Sequence, residues 1–280
     1  MSSHQLKVWG VINITPDSFS DGGDIQTAQQ ITQSFKRFQQ GIDIGAESTN
    51  PKAHPISELE ERERLAKFLV PILPHWPREL TLSLDTYKLA TIEWLLPQIP
   101  AGIEVVWNDV SGHIIEATEL LQKNPRLKYI CCHNPVPTRN ASGQHMNYVS
   151  EGPITQRVKD FFLLAQVHFE RAGLLERVIA DPCFGFGKTR EQNLELWHGL
   201  PSMMDELKFK SWLWGISRKS FLRQAGEDPR DAATRIVLDQ RQAEWILKAL
   251  EKLTGVHTII LRAHEPVSLK DVWKNCGCEK

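Results

Sequence analysis

What this chain of 280 residues lacks narrows the field before any motif is read. Net charge is almost absent: 33 basic against 34 acidic side chains leave a formal charge of −1. No long-range field therefore points to nucleic acid or to an acidic membrane surface, and any anionic ligand needs locally placed groups. No apolar run is long enough to cross a bilayer, and the opening MSSHQLK carries no apolar core of a secretory signal. The cysteines (Cys131, Cys132, Cys183, Cys276 and Cys278) are odd in number and show no disulfide-like spacing. Cys276-x-Cys278 has no second pair to complete a metal site. A reducing cytoplasm is the expected compartment. No Ser/Gly-rich linker and no low-complexity segment divides the chain, so one domain over residues 1–280 is expected.

What is present is a repeated unit. Val8, Trp9, Val11 and Ile12 read as a buried strand that ends on Asn13. Thr15-Pro16-Asp17-Ser18 and Asp21-Gly22-Gly23 follow, and no strand continues through them. Similar strands are expected at 42–48, 81–85, 104–109, 127–133, 178–182, 212–217 and 258–264. Helices fall between them. Ala28, Ile31, Phe35 and Phe38 share one face that Gly41 should end. Ser57 and Glu60 read as a capping box, with Pro74 and Pro77 as terminators. Further helices are expected at 87–96, 114–122 and 155–172, from about 191 with a break at Pro201, at 232–253 and at 269–273. The polar stretch 134–152 is too long for a plain connection.

Eight strand–helix units in one chain match a single (β/α)8 TIM barrel, with its active site at the C-terminal ends of the strands. A doubly wound sheet would gather ligand groups at one switch point. Here polar groups end every strand: Asn13, Glu47, Asp85, Asn108, His133, Asp181, Lys219, and Arg262 with His264.

Asp85, Asn108 and Asp181 each follow apolar strand residues, and a buried carboxylate needs donors. A flat heterocycle with amino and ring N–H groups supplies them; the alternative is that each residue caps the next helix. Lys219, where the seventh strand turns toward a helix, is placed to meet a ligand carbonyl or nitrogen as a point charge. Arg262 and His264, two apart on one strand, point the same way and suit a phosphate or pyrophosphate. Gly185-Phe186-Gly187-Lys188 is by itself a weak glycine-loop signal.

The motifs in order are Asn13-Ile14-Thr15-Pro16-Asp17-Ser18-Phe19-Ser20-Asp21-Gly22-Gly23, Asp43-Ile44-Gly45-Ala46-Glu47-Ser48-Thr49 and Ser83-Leu84-Asp85-Thr86. Asn108-Asp109, Asp181-Pro182-Cys183-Phe184-Gly185-Phe186-Gly187-Lys188, Ser217-Arg218-Lys219-Ser220 and Arg262-Ala263-His264 complete the set. Over essentially its whole length the chain thus resembles the dihydropteroate synthases, pterin-binding transferases of folate biosynthesis. The resemblance implies condensation of 6-hydroxymethyl-7,8-dihydropterin pyrophosphate with p-aminobenzoate. It implies a pterin held by Asp85, Asn108, Asp181 and Lys219, and catalysis by Lys219, Arg262 and His264. Asn13, Arg262 and His264 would hold pyrophosphate, Asn13 would bind Mg²⁺, and Phe19, Thr49, Pro51 and Ser220 would shape the p-aminobenzoate pocket. A homodimer is also implied.

The chain departs from the family in places. Ser48-Thr49-Asn50-Pro51-Lys52 stands where the family usually reads Ser-Thr-Arg-Pro-Gly, and His264-Glu265-Pro266 where it reads His-Asp-Val. The first loop is shortened between Gly23 and Thr27. Lys52 is a candidate to replace the lost loop cation. Two alternatives therefore stand beside the synthase: a pterin-binding paralogue without synthase activity, and a domain passing methyl groups from a pterin to a corrinoid.

Overall fold

The strands are apolar on both faces because a closed parallel sheet is covered on both, by its own interior and by the helices outside. In the computed structural model eight parallel strands pair in chain order, and the last pairs with the first to close the barrel. They are β1 Gln5–Asn13, β2 Gly41–Gly45, β3 Thr81–Asp85, β4 Val105–Asp109, β5 Leu127–Cys132, β6 Val178–Asp181, β7 Ser211–Trp214 and β8 Thr258–Ala263. The α-helices among the described residues are α1 Asp24–Arg37, α2 Glu58–Phe68, α3 Leu89–Leu95, α4 Ile114–Lys123, α5 Ile154–Arg171, α6 Arg190–Glu206 and α7 Ala232–Leu250. The structure describes residues 4–14, 24–38, 40–47, 55–134, 152–217, 219–224, 226–228 and 231–264. The expected helix at 269–273, most of the polar stretch 134–152, the Ala28 side chain, and Cys276 with Cys278 lie outside them. The fold is the expected (β/α)8 barrel, and no described helix is long and apolar enough to cross a membrane.

Local signals were right in kind and sometimes wrong in place. The Ser57 hydroxyl accepts from the Glu60 amide, but the Glu60 carboxylate turns to Arg64, so the expected reciprocal box gives way to an ion pair. A complete box forms instead at Thr189 and Gln192, opening α6. Gly41 does not end α1; it opens β2, where a Cβ would lie 2.4 Å from the Trp9 indole. Glycine is there because the indole fills that space. Pro201 does not break α6, which runs through it to Glu206. Its ring is buried in the helix packing, which offsets the lost helical hydrogen bond.

Alternation along each strand sorts the barrel interior. Trp9, Val106, Ile130, Ile179, Leu213 and Ile260, one from each of six strands, make a single buried apolar cluster that forms a dry floor. Two positions further along the same faces stand Val11, Asn108, Cys132, Asp181, Gly215 and Arg262. The interior thus changes from apolar to polar within about one 7 Å step along the strands.

The cysteines require a correction. Cys132 and Cys183 form a disulfide, with Cα atoms 5.5 Å apart across 51 residues of sequence. Linear spacing gave no sign of it because barrel pairing, which sets Cys132 level with Asp181, brings the two together. Cys131, on the opposite strand face, is buried and free.

Candidate active site

The polar layer is organised by a residue the sequence reading named only within a motif. Asp43 sits mid-strand between Ile42 and Ile44, fully buried on the inner face of β2. Its carboxylate accepts from the Ser83 hydroxyl and from Asn108 Nδ2 at 3.1 and 3.2 Å, and lies 2.6 Å from Arg262 Nη2. The same Nη2 donates to Asp85 Oδ2 at 3.1 Å. One guanidinium therefore neutralises two carboxylates, and the amide of Asn108 is turned by the first of them. The available signal was a charge placed in strand register with Gly41 and Gly45, where no turn could use it.

Sharing one cation leaves the second carboxylate short of positive charge. Burial, and then the negative charge of Asp43, push the Asp85 carboxyl up to about 7 against the pull of Arg262. Burial also raises Asp181, opposed by the Cys183 amide that donates to its Oδ1 at 2.7 Å and by the Arg262, Lys219 and Lys188 charges. This contact is local, as in a capping residue, but it leaves the second carboxylate oxygen for a ligand. Burial, then Arg262, lower the Lys219 ammonium to about 8. Its Nζ lies 4.7 Å from the centre of the Phe186 ring. Gly185 beside it is fixed by its backbone, at φ 86°, since a Cβ there would make only ordinary contact with Lys219 Cδ at 3.4 Å.

The glycine-loop stretch is a scaffold for this corner. The Lys188 side chain is 1% exposed, and its Nζ donates to the carbonyls of His133, Cys183 and Phe186 at 3.0, 2.9 and 3.1 Å. Burial lowers its ammonium to about 7, and three carbonyl partners supply what water would otherwise give. Lys188 thus folds the loop between Asp181 and α6.

Above this layer opens a cavity of about 280 Å³. Asn13, Asp85, Lys219, Arg262 and His264 line it, with Val11, Val110 and Phe186 as its apolar wall. Asn108 and Asp181 are buried in the layer that supports it. Arg262 and His264 share the cavity as expected, but Arg262 turns Nη2 onto Asp43 and Asp85, while His264 Nδ1 meets the Ser217 hydroxyl at 3.1 Å. Ser220 is exposed at the start of a short 3-10 turn and is not part of the lining. Phe19, Thr49 and Pro51, like Asn50 and Lys52, lie outside the described residues.

Glu47 and His133 do not join the ring of strand-end groups. Glu47 accepts from Lys88 and from the Tyr87 hydroxyl, and Lys88 reaches Glu61 at 3.3 Å, so this cluster ties α2 and α3 to the end of β2. His133 packs edge-on against Phe161, and burial lowers its imidazole to about 3. Asp109 is the residue that behaves as a cap, accepting from the Ser111 and His113 amides.

Among the described residues lining the cavity, the Asn13 side chain is a neutral oxygen ligand, Ser217 adds a hydroxyl, and Asp85 is held by Arg262. The only group of three close metal-ligating residues among those described is Cys132, Asp181 and Cys183, whose sulfurs are bonded to each other. With the described residues alone, a hard cation such as Mg²⁺ fits the cavity when an anionic ligand brings most of the coordinating oxygens.

Residues 9–258 match the model of a family described as pterin binding enzyme. A dihydropteroate synthase of Synechocystis is 34% identical over 235 residues, covering 79% of this chain and 75% of its own. A crystallised dihydropteroate synthase of Xanthomonas albilineans with 4-aminobenzoic acid superposes with a TM-score of 0.72 at 26% identity, covering 99% of this chain and 94% of that one. The Yersinia pestis enzyme in a sulfonamide drug complex gives a TM-score of 0.72 at 28% identity, with coverage of 99% and 94%.

Proposed function

This chain belongs to the pterin binding enzymes, as a member of their dihydropteroate synthase family, and from that membership we propose how its cavity works. The protein is a transferase of folate biosynthesis that joins 6-hydroxymethyl-7,8-dihydropterin pyrophosphate to p-aminobenzoate, releasing pyrophosphate. The observation that carries the assignment of roles is a cavity lined by Asp85, Lys219 and Arg262 over a buried layer that holds Asp43, Asn108 and Asp181. Asp181 and Asp85 accept from the pterin's amino and ring N–H groups, Asn108 completes the edge, and Lys219 donates to its carbonyl or ring nitrogen. Arg262, in the cavity wall, takes the pyrophosphate side with His264 and Asn13.

In the reaction the bond between the pterin methylene carbon and the pyrophosphate oxygen breaks, and both its electrons leave with the anion. The arylamine nitrogen then bonds to the electron-poor methylene and loses a proton. No side-chain nucleophile is required; Lys219, Arg262 and His264 contribute positioning and charge. Mg²⁺, when bound at Asn13, would neutralise charge on the leaving group. By the family resemblance the p-aminobenzoate pocket is assigned to Phe19, Thr49, Pro51 and Ser220. Incubation of the purified protein with both substrates and Mg²⁺ should yield dihydropteroate by mass spectrometry, and the gene should restore a strain lacking the synthase. Failure of both with intact pterin binding would favour the inactive paralogue, the reading that Asn50 motivates.

Among the described residues the cavity offers a cation only the neutral Asn13 oxygen beside the Ser217 hydroxyl and an Asp85 already held by Arg262, which sets one expectation. Titrated with Mg²⁺ alone, the protein should give no measurable binding heat, whereas pyrophosphate should bind at least about tenfold more tightly with Mg²⁺ than without. Pyrophosphate affinity indifferent to Mg²⁺ would remove the metal from the scheme.

A second expectation concerns pH. Asp85 accepts through both oxygens only when ionised, protonation turning one of them into a donor, and Lys219 donates best when protonated, so kcat/KM for the pterin substrate should rise through about 7 and fall through about 8. Asp85→Asn should remove the acid limb and Lys219→Gln the alkaline one. A flat wild-type profile from about pH 6 to about pH 9 would rule out both assignments.

The same reading takes the protein as a single domain in the cytoplasm, with the Cys132–Cys183 bond a reversible modification there rather than a permanent cross-link. It also takes it as a homodimer, to which the exposed Ile236 and Val237 of α7 lend support.

A further inference from the structure

The cysteine pair stands in an unusual place. Cys132 is level with Asp181 in the β5–β6 pairing, and Cys183 lies two residues beyond that carboxylate. The amide of Cys183 is a hydrogen-bond donor to Asp181 Oδ1, at 2.7 Å. Cys183 is also the one non-glycine residue among those described with a positive φ, 55°. A side chain disfavours that backbone conformation, which persists only where the surroundings impose it. Here a covalent bond to the neighbouring strand acts together with the Lys188 ammonium on the Cys183 carbonyl and the Asp181 carboxylate on its N–H.

The pair is also next to the ligand. Cys132 and Cys183 cluster with Phe186 and Val110, and these two apolar residues line the cavity. The bridge therefore lies one side chain behind the cavity wall, where a bound ring system would cover it.

We propose that Cys132 and Cys183 are a reversible thiol–disulfide modification site that sets pterin affinity, the bridge holding the Cys183 amide on Asp181 and its reduction releasing it. The inference rests on the assignment of the cavity as a pterin site. A low-molecular-weight disulfide is the oxidant. The Cys183 thiolate attacks it, forming a mixed disulfide and expelling one small thiol; the Cys132 thiolate then attacks Cys183 Sγ and expels the second. Two protein thiols lose two protons and two electrons, and one small disulfide becomes two thiols. Cys183 carries the first step because Cys132 is fully buried while Cys183 is 3% exposed. Reduction runs the same steps backwards, after which the turn at Cys183 relaxes toward negative φ and Asp181 loses its amide donor.

The test equilibrates the full chain with oxidised and reduced glutathione in varied ratio, maps the bridge by peptide mass, and titrates a fully oxidised pterin that thiols do not alter. A linked Cys132–Cys183 peptide, lighter by about 2 Da than the two free peptides together, should track the oxidised ratio. Pterin affinity should fall roughly tenfold on reduction, and saturating pterin should slow the reduction. Cys183→Gly adopts the positive φ without strain, so it should bind tightly in both states. Cys132→Ala leaves Cys183 unanchored and should bind weakly in both. Cys131→Ala, on the other strand face, should respond like wild type. A bridge that forms while affinity stays constant, the absence of any linked peptide, or a redox response retained in Cys183→Gly would each overturn the proposal. Absence of pterin binding in both redox states would overturn the cavity assignment with it, and constant tight binding would overturn this proposal alone.

Discussion

Asp181→Asn should bind pterin about 2–4 kcal/mol more weakly, roughly 30- to 900-fold, while melting near the wild-type temperature. The change is isosteric, and the amide oxygen can still accept from the Cys183 N–H that now meets Oδ1. The fold therefore keeps its local turn. What changes is the other atom, which becomes an NH₂ facing a ligand edge that offers donors of its own. Two donors pointed at each other in a buried site lose a charge-assisted bond and leave both groups unsatisfied. The side chain is only 5% exposed, so water cannot repair the mismatch. Calorimetric titration with a pterin, beside a thermal melt, separates binding from stability. Near-wild-type affinity would mean that Asp181 does not face the pterin.

Asp43→Ala should destabilise the fold by about 3–5 kcal/mol, because it strips Arg262 of its closer partner inside the barrel. Three contacts go together: the Ser83 hydroxyl, the Asn108 amide and the guanidinium all lose the same acceptor. Asp85 would remain, at 3.1 Å, and would hold Arg262 alone. Its carboxyl should then come down from about 7, since the negative neighbour that helped raise it has gone. A double variant, Asp43→Ala with Arg262→Met, removes both charges and should recover part of the stability but none of the activity. Urea unfolding measures the first effect. If Asp43→Ala unfolds within about 0.5 kcal/mol of wild type, Asp43 is not what compensates the half-buried arginine.

Much of the site was legible because it lies where two sequence signals meet. Asp85, Asn108 and Asp181 each close an apolar run, and Lys219 follows another, so strand ends and polar groups could be read together. His133 shows a signal that was present and unused. Ile130 and Cys132 face the barrel interior, so the next residue must face out, and it packs against Phe161. Glu47 was harder to place, since β2 ends at Gly45 and alternation no longer governs the residues beyond. Its partners, Lys88 and Tyr87, come from the connection between β3 and α3 in the next unit.

The sequence by itself determined the barrel, its strand order and the end at which ligands bind. Those follow from local periodicity and from the repeated change of apolar strand to polar loop, which each unit carries within its own residues. Only the tertiary structure decided which polar groups pair. Arg262 meets Asp85 across 177 residues, and Cys132 meets Cys183 across 51, because barrel closure and strand register set those neighbours. No local pattern encodes a contact whose two halves come from different units. The dry floor beneath them makes such pairings decisive, since a charge or an amide lifted out of water must find its partner within reach or not be stable there.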